Sequence, residues 1–300
     1  MQDHQTGDEQ LNGIIVLNKS AGCTSFEAVR AVSRLFLKEK AGHSGTLDPM
    51  ATGVLPVFLG RATKLIQYLP DTDKEYIADI AFGTRTDTGD KDGEPLCTSE
   101  NRPDKRDWLA AAESFLGDQH QIPPMYSAVK MGGVPLYEMA RKGQTVDRQP
   151  RLIHIYGIEV IDIKRNASRI KVRCSAGTYI RTLAEDMAAM CGCFAYLTAL
   201  ERTKACGLSI ENAVTLVELE KAENKEGYLI EPEKLFTALP ILSLDDNLTR
   251  LFMNGFLFPE ERTNNHYGPG TRVRVYNNDR FIALGEITKH AEVKKLWQAE

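Results

Sequence analysis

No stretch of the 300 residues is apolar for long enough to cross a bilayer, which takes roughly 20 consecutive residues. The first dozen residues, MQDHQTGDEQLN, are polar and slightly acidic, without the basic start and apolar run of a secretory leader. Histidines are few, six in all, and none stand at paired ligand spacing. Of the six cysteines (Cys23, Cys97, Cys174, Cys191, Cys193 and Cys206) only Cys191 and Cys193 are neighbours. Their CGC spacing lacks the two-residue gap of common zinc and thiol-redox pairs. Missing too are a phosphate-cradling glycine loop and a Ser-His constellation. The acidic turn GTRTDTGDKDGEP fails as a calcium loop, because a register starting at Thr88 puts threonine at position one and Ser99 at position twelve. These absences predict a cytoplasmic chain with free, buried thiols, no metal and no cofactor.

What remains is ordinary globular composition, 42% hydrophobic, enough for one large core or one large and one small. The net charge is −4, which argues superficially against a polyanionic partner. Its distribution argues otherwise. Between Met125 and Thr182 stand eleven Lys and Arg residues against four acids, Glu138, Asp147, Glu159 and Asp162. A basic middle in an acidic chain is the footprint of a phosphate-binding surface, though a solvated charged face gives the same count.

Periodicity predicts a strand at Ile14–Leu17, then a helix whose Thr24 and Glu27 have capping-box spacing ahead of an apolar stripe through Val29 and Val32. GVLPVFLG reads as a strand and GRATKLIQYL as a short helix. In KEYIADIAFG, Tyr76, Ala78, Ile80 and Phe82 alternate with other residues, as in a strand with one buried face. KRDWLAAAESFLGD reads as a helix. The segment from about 123 to 151 carries Pro-Pro, Gly-Gly and several cations, and reads as a long excursion with a small helix near Leu136. Two alternating strands follow, then a helix entered through TYIRTLAEDM. Near the end, GTRVRVYNNDRFIALGEI is a hairpin signature about an Asn-Asn-Asp turn.

Three separated residues carry chemical promise. Asp48 sits before a proline in SGTLDPMATG, Tyr76 on a strand, and Arg181 in a first helical turn. Asp before Pro is a common turn former, and a strand tyrosine is most often packing. Arg181 differs, because the helix dipole disfavours a cation there. An arginine so placed wants a carboxylate, which its planar fork would hold through two hydrogen bonds.

These residues lie in motifs that resemble the TruB-type tRNA pseudouridine synthases, which isomerise the uridine at position 55 in the tRNA T arm. The motifs, in order, are GIIVLNKSAGCTSFEAV, GHSGTLDPMATGVLPVFLGRATK, KEYIADIAFGTRTDTGDKDG, PPMYSAVKMGGVPLYEMARKG and VRCSAGTYIRTLAEDM. The terminal GTRVRVYNNDRFIALGEI is similar to the family's PUA-like module. The resemblance implies an α+β chain with the pseudouridine synthase fold. A central mixed, mostly antiparallel sheet would carry flanking helices and an RNA-gripping thumb, with a small β-rich C-terminal domain. Residues 1–240 would form the catalytic domain, with the thumb at about 123–151, and residues 241–300 the PUA-like domain. Asp48 would be the nucleophile or general base, Tyr76 would stack under a flipped-out uracil, and Arg181 would orient Asp48. His43, Lys19, Lys130, Tyr179 and Leu200 would contact substrate, Leu200 as an apolar wall. Ala176, Tyr196 and Glu201 depart from the family pattern, where cations or histidine are usual.

The implied partner is tRNA, engaged through its T arm by a monomer needing neither membrane nor cofactor. The chemistry fits the absences, since isomerising uridine changes no redox state and hydrolyses nothing. Two other readings compete. A non-catalytic RNA-binding or RNA-folding module would use the basic insert, but a carboxylate repels phosphate and has no place in such a pocket. An aspartate-dependent glycosidase would need a second acid beside Asp48, and the nearest on either side in sequence are Glu39 and Asp71.

Overall fold

The computed structural model describes residues 11–263 and 266–299. The leaderless start inferred above falls mostly on residues 1–10, outside the described residues.

GIIVLNK forms the strand Gly13–Lys19, with Ile14 to Leu17 almost wholly buried. Such a run has two covered faces, and the residues divide accordingly. Ile15 and Leu17 join the larger core, Ile14 and Val16 the smaller one behind the sheet. The strand Thr52–Leu59 splits the same way, Leu55, Val57 and Leu59 against Val54 and Phe58. The main sheet runs in the order 214–215, 13–19, 52–59, 195–205, 74–82, 167–174, 151–164, 117–121. Two pairings are parallel, 13–19 with 214–215 and 52–59 with 195–205, and the other pairings in this order are antiparallel.

Helices Ser25–Leu35, Lys105–Ser114 and Ile180–Met190 bury their apolar stripes in the larger core. The first begins with the expected capping box, Thr24 accepting from Glu27 N while the Glu27 carboxylate accepts from Thr24 N. Tyr76, Ala78, Ile80 and Phe82 are all buried, as their alternation predicts. GRATKLIQYL differs from expectation. It winds as 3₁₀ turns over Gly60–Tyr68, where Ala62 and Leu65 share the face that i,i+3 eclipsing provides.

The insert folds as a two-residue hairpin, Lys130–Met131 with Val134–Pro135, leading to the short helix Leu136–Ala140. A second sheet runs from Ile241–Leu244 to Glu292–Gln298. Its hairpin pairs Asn277 with Arg280, leaving Asn278 at φ 53°, a left-handed conformation that asparagine tolerates. This sheet packs on the back of the main one. Leu284 and Trp297 join Val54 and Phe58 in the smaller core, and Trp297 Nε1 donates to Arg61 O at 3.0 Å.

Candidate active site

The loop Ser44–Ala51 connects the short strand Ala41–His43 to Thr52–Leu59 and carries Asp48 at its tip. Its backbone is pinned from both flanks. On one side the buried Lys19 ammonium donates to the carbonyls of Ser20 (2.8 Å), Pro49 (3.3 Å) and Ala51 (2.8 Å). There too Ser25 Oγ donates to Leu47 O (3.0 Å) and accepts from Leu47 N (2.8 Å). On the other side the fully buried Arg202 donates to Val54 O (2.7 Å), Gly45 O (3.1 Å) and Thr46 O (3.5 Å). Two glycines allow this closeness. Gly45 sits at φ +90°, and a Cβ on Gly53 would come 2.3 Å from Arg202 O. Their freedom serves the protein's own packing.

Arg181 is the second residue of the helix Ile180–Met190 and is almost wholly buried. Its Nε lies 2.9 Å from Asp48 Oδ2 and its Nη2 3.1 Å from Oδ1, the two-point fork expected of it. Two more guanidinium hydrogens go to Thr88 O (2.6 Å) and Tyr126 O (2.8 Å). A second carboxylate, Asp90, lies 3.8 Å from Nη1. It accepts from Thr88 Oγ1 (2.6 Å) and Asp92 N (3.1 Å), and burial pushes its carboxyl above the usual range. The acidic turn 83–95 therefore supplies Arg181 with a carbonyl and a counter-charge.

Asp48 and Arg181 border a cavity of about 330 Å³ that Tyr76, Tyr179 and Leu200 also line. That volume suits a single nucleotide. Asp48 is the only carboxylate along this wall among the described residues. Tyr76 is buried, and desolvation pushes its phenol up to about 12, with the Arg202 guanidinium beside it. The phenol therefore stays protonated at neutral pH and presents a ring face with a donor. Tyr179 caps the Arg181 helix and is fixed by Gln121, whose amide exchanges two hydrogen bonds with the Tyr179 backbone. A second cavity, about 630 Å³, opens on the other side of Asp48 between Phe26, His43, Tyr126 and Tyr137. The His43 imidazole is held below its ordinary pKa by burial and then by Arg202. Among the described residues no three His, Cys, Asp or Glu side chains converge as a metal site.

The structure thus gathers Asp48, Tyr76, Arg181, Tyr179 and Leu200 around one cavity and sets His43 at its neighbour. Lys19 lies beneath the loop with its ammonium committed to backbone carbonyls. Lys130 is exposed on the insert's hairpin and lines neither cavity.

The basic middle also resolves into two parts. Arg169 pairs with Asp79 at 2.6 Å, Lys171 with Glu75 at 3.3 Å and Arg173 with Asp73 at 3.8 Å, because acids of the strand Lys74–Phe82 and the residue just before it face the strand Ala167–Cys174. These cations form a solvated, charge-laced face. Lys130, Arg141, Lys142, Arg148 and Arg151, in or at the edge of the insert, make no ion pair among the described residues. Most of the unpaired cations of this segment therefore lie in or beside the insert.

Two buried partners, Arg202 and Asp90, were missed by sequence reasoning. Arg202 follows Glu201, one of the departures from the family pattern named above. Its signal was an arginine two residues beyond an apolar wall residue on one strand, which places both on the same face.

The fold is that of a pseudouridylate synthase. The family model described as TruB family pseudouridylate synthase (N terminal domain) matches residues 33–180. A protein named tRNA pseudouridine synthase B from Francisella philomiragia subsp. philomiragia is 41% identical over 290 residues, 95% of this chain and 94% of that protein. The like-named protein of Francisella tularensis subsp. novicida shows the same identity and coverage. Among solved structures, a Cbf5-Nop10-Gar1 complex matches with TM-score 0.70 and 26% identity, over 93% of this chain and 79% of that one. An archaeal box H/ACA sRNP Nop10-Cbf5 complex gives TM-score 0.69 at 25% identity, over 95% and 86%. The chain belongs to the TruB family, and it is an isomerase with the pseudouridine synthase fold.

Proposed function

We propose that this enzyme converts uridine-55 in the T arm of tRNA to pseudouridine, with Asp48 acting on the ribose of the extruded nucleotide. The observation that supports it best is the Asp48–Arg181 fork facing a nucleotide-sized cavity. The tRNA substrate rests on the names of the relatives at 41% identity. Position 55 rests on the five motifs that resemble the family.

The reaction breaks the bond between uracil N1 and the anomeric carbon, turns the base and forms a new bond to its C5, whose proton leaves while N1 gains one. One carboxylate must reach the sugar of a residue normally stacked in folded RNA. Extruding that base costs a few kcal/mol, and an aromatic surface in the cavity offsets part of it. In this reading Tyr76 receives the base, Leu200 and Tyr179 wall the pocket, and Arg181 aims the carboxylate. His43 faces the vacated stack from the neighbouring cavity. Lys19 acts through the loop and not on the RNA. Lys130 and its neighbours on the insert, with residues 241–300, hold RNA through phosphates and shape.

A glycosidase is disfavoured because, among the described residues, no second acid lines the Tyr76 cavity, and Asp90 and Asp92 line only the neighbouring one. Asp90 is the nearest candidate, but it is hydrogen-bonded behind Arg181 and does not line the Tyr76 cavity.

The test is to incubate purified protein with a T-arm transcript, with chelator and without added cofactor, and map pseudouridine. The expected product is a single pseudouridine at position 55. An unmodified transcript, or modification elsewhere only, would overturn the proposal.

A further inference from the structure

One cation of the cavity makes no ion pair among the described residues. Lys74 lines the same wall as Asp48 and Tyr76, and its stem lies against the loop, Cε 3.1 Å from where a Cβ on Gly45 would stand. Its ammonium makes one hydrogen bond, to Thr72 O at 3.2 Å. The adjacent Asp73 is engaged elsewhere, by Arg173 at 3.8 Å and the Tyr156 hydroxyl at 3.1 Å. The like-charged Arg202 and the thiols of Cys174 and Cys206 also act on Lys74. Burial, with Arg202 second, holds the Lys74 amine below its ordinary pKa. Arg151 lines the same cavity and is likewise without an ion pair among the described residues.

A half-buried lysine that makes no ion pair among the described residues, its neighbour Asp73 being engaged elsewhere, raises the free energy of the empty protein. We infer that Lys74 and Arg151 form a phosphate subsite of the Asp48 cavity, taking a phosphodiester that flanks the extruded uridine. The inference rests on the proposed reaction and specifies how that site holds its substrate. Lys74 and Tyr76 are two apart on one strand, so their side chains share a face roughly 7 Å apart. A base laid on Tyr76 thereby brings its backbone phosphate within reach of the Lys74 amine. The substrate supplies the anion that the protein omits, and RNA lacking a phosphate there is discriminated against.

The experiment compares Lys74→Met and Arg151→Gln with wild type, measuring Kd for a T-arm RNA across a salt series, steady-state kinetics and thermal stability of the free protein. Each variant is expected to raise Kd and KM roughly tenfold, with the larger part of the loss in KM. The slope of log Kd against log salt should fall by about 0.7 per cation removed, the single-strand value. Lys74→Met should also melt higher than wild type, since the uncompensated charge is gone, and Lys74→Arg should keep the wild-type slope. Unchanged salt slopes in an active enzyme, or a lower melting temperature for Lys74→Met with KM unaltered, would defeat the subsite alone. A wild type that forms no pseudouridine would defeat the underlying reading and the subsite with it.

Discussion

Arg181 grips Asp48 through two hydrogen bonds, 2.9 Å and 3.1 Å, across a sequence separation of 133 residues. The arginine is itself immobilised by Thr88 and Tyr126 carbonyls, so the carboxylate inherits a fixed direction. The arrangement is a preorganised acid in a cavity, and its parts can be removed one at a time.

Arg181→Lys keeps the charge and loses the fork. A lysine ammonium cannot reach Asp48 at two points while also serving two carbonyls. Forfeiting charge-assisted hydrogen bonds worth about 1.5–3 kcal/mol each should lower kcat by roughly a hundredfold or more. Steady-state kinetics on T-arm RNA check this, and turnover near wild type would show the pairing to be incidental.

Arg202→Leu should damage the loop and not the chemistry directly. It leaves the carbonyls of Gly45, Thr46 and Val54 without their buried donor. At about 1–3 kcal/mol for each unsatisfied group, a stability loss of about 3 kcal/mol or more is expected. Turnover should fall with it, because Asp48 rides on that loop. Urea unfolding and kcat together test the point, and a variant as stable and active as wild type would contradict it.

Much of this was legible in the sequence. The Thr24–Glu27 cap, the Tyr76-to-Phe82 alternation and the ill-placed Arg181 are local signals, and each has the partner its chemistry demanded. The strand Ala195–Ala205 was not legible. It pairs on both sides at the centre of the sheet, yet register shifts at Leu197/Ala199 and Arg202/Lys204 break its alternation. Arg202 is buried in it as a donor to backbone carbonyls, a role that local pattern cannot show. The charge of the middle segment was legible only in part, for a related reason. Its counter-ions sit on or beside the strand Lys74–Phe82, distant in sequence and adjacent only through sheet pairing.

Tyr76 gives a pH signature. Its phenol is raised from 10.0 to about 12, so the folded protein keeps a proton that the unfolded chain releases first. The stabilisation is complete below pH 10 and disappears as pH climbs toward 12. Two units correspond to about 3 kcal/mol. Tyr76→Phe should therefore lose less stability than wild type between these limits, measured by denaturant unfolding at both. Parallel profiles would mean that the hydroxyl is not desolvated as described.

The most direct test of the central claim is Asp48→Asn, assayed for RNA affinity and for pseudouridine in the same samples. The substitution keeps the size of the side chain and removes its charge. The account predicts Kd close to wild type with no detectable pseudouridine. Modification at the wild-type rate would contradict it outright.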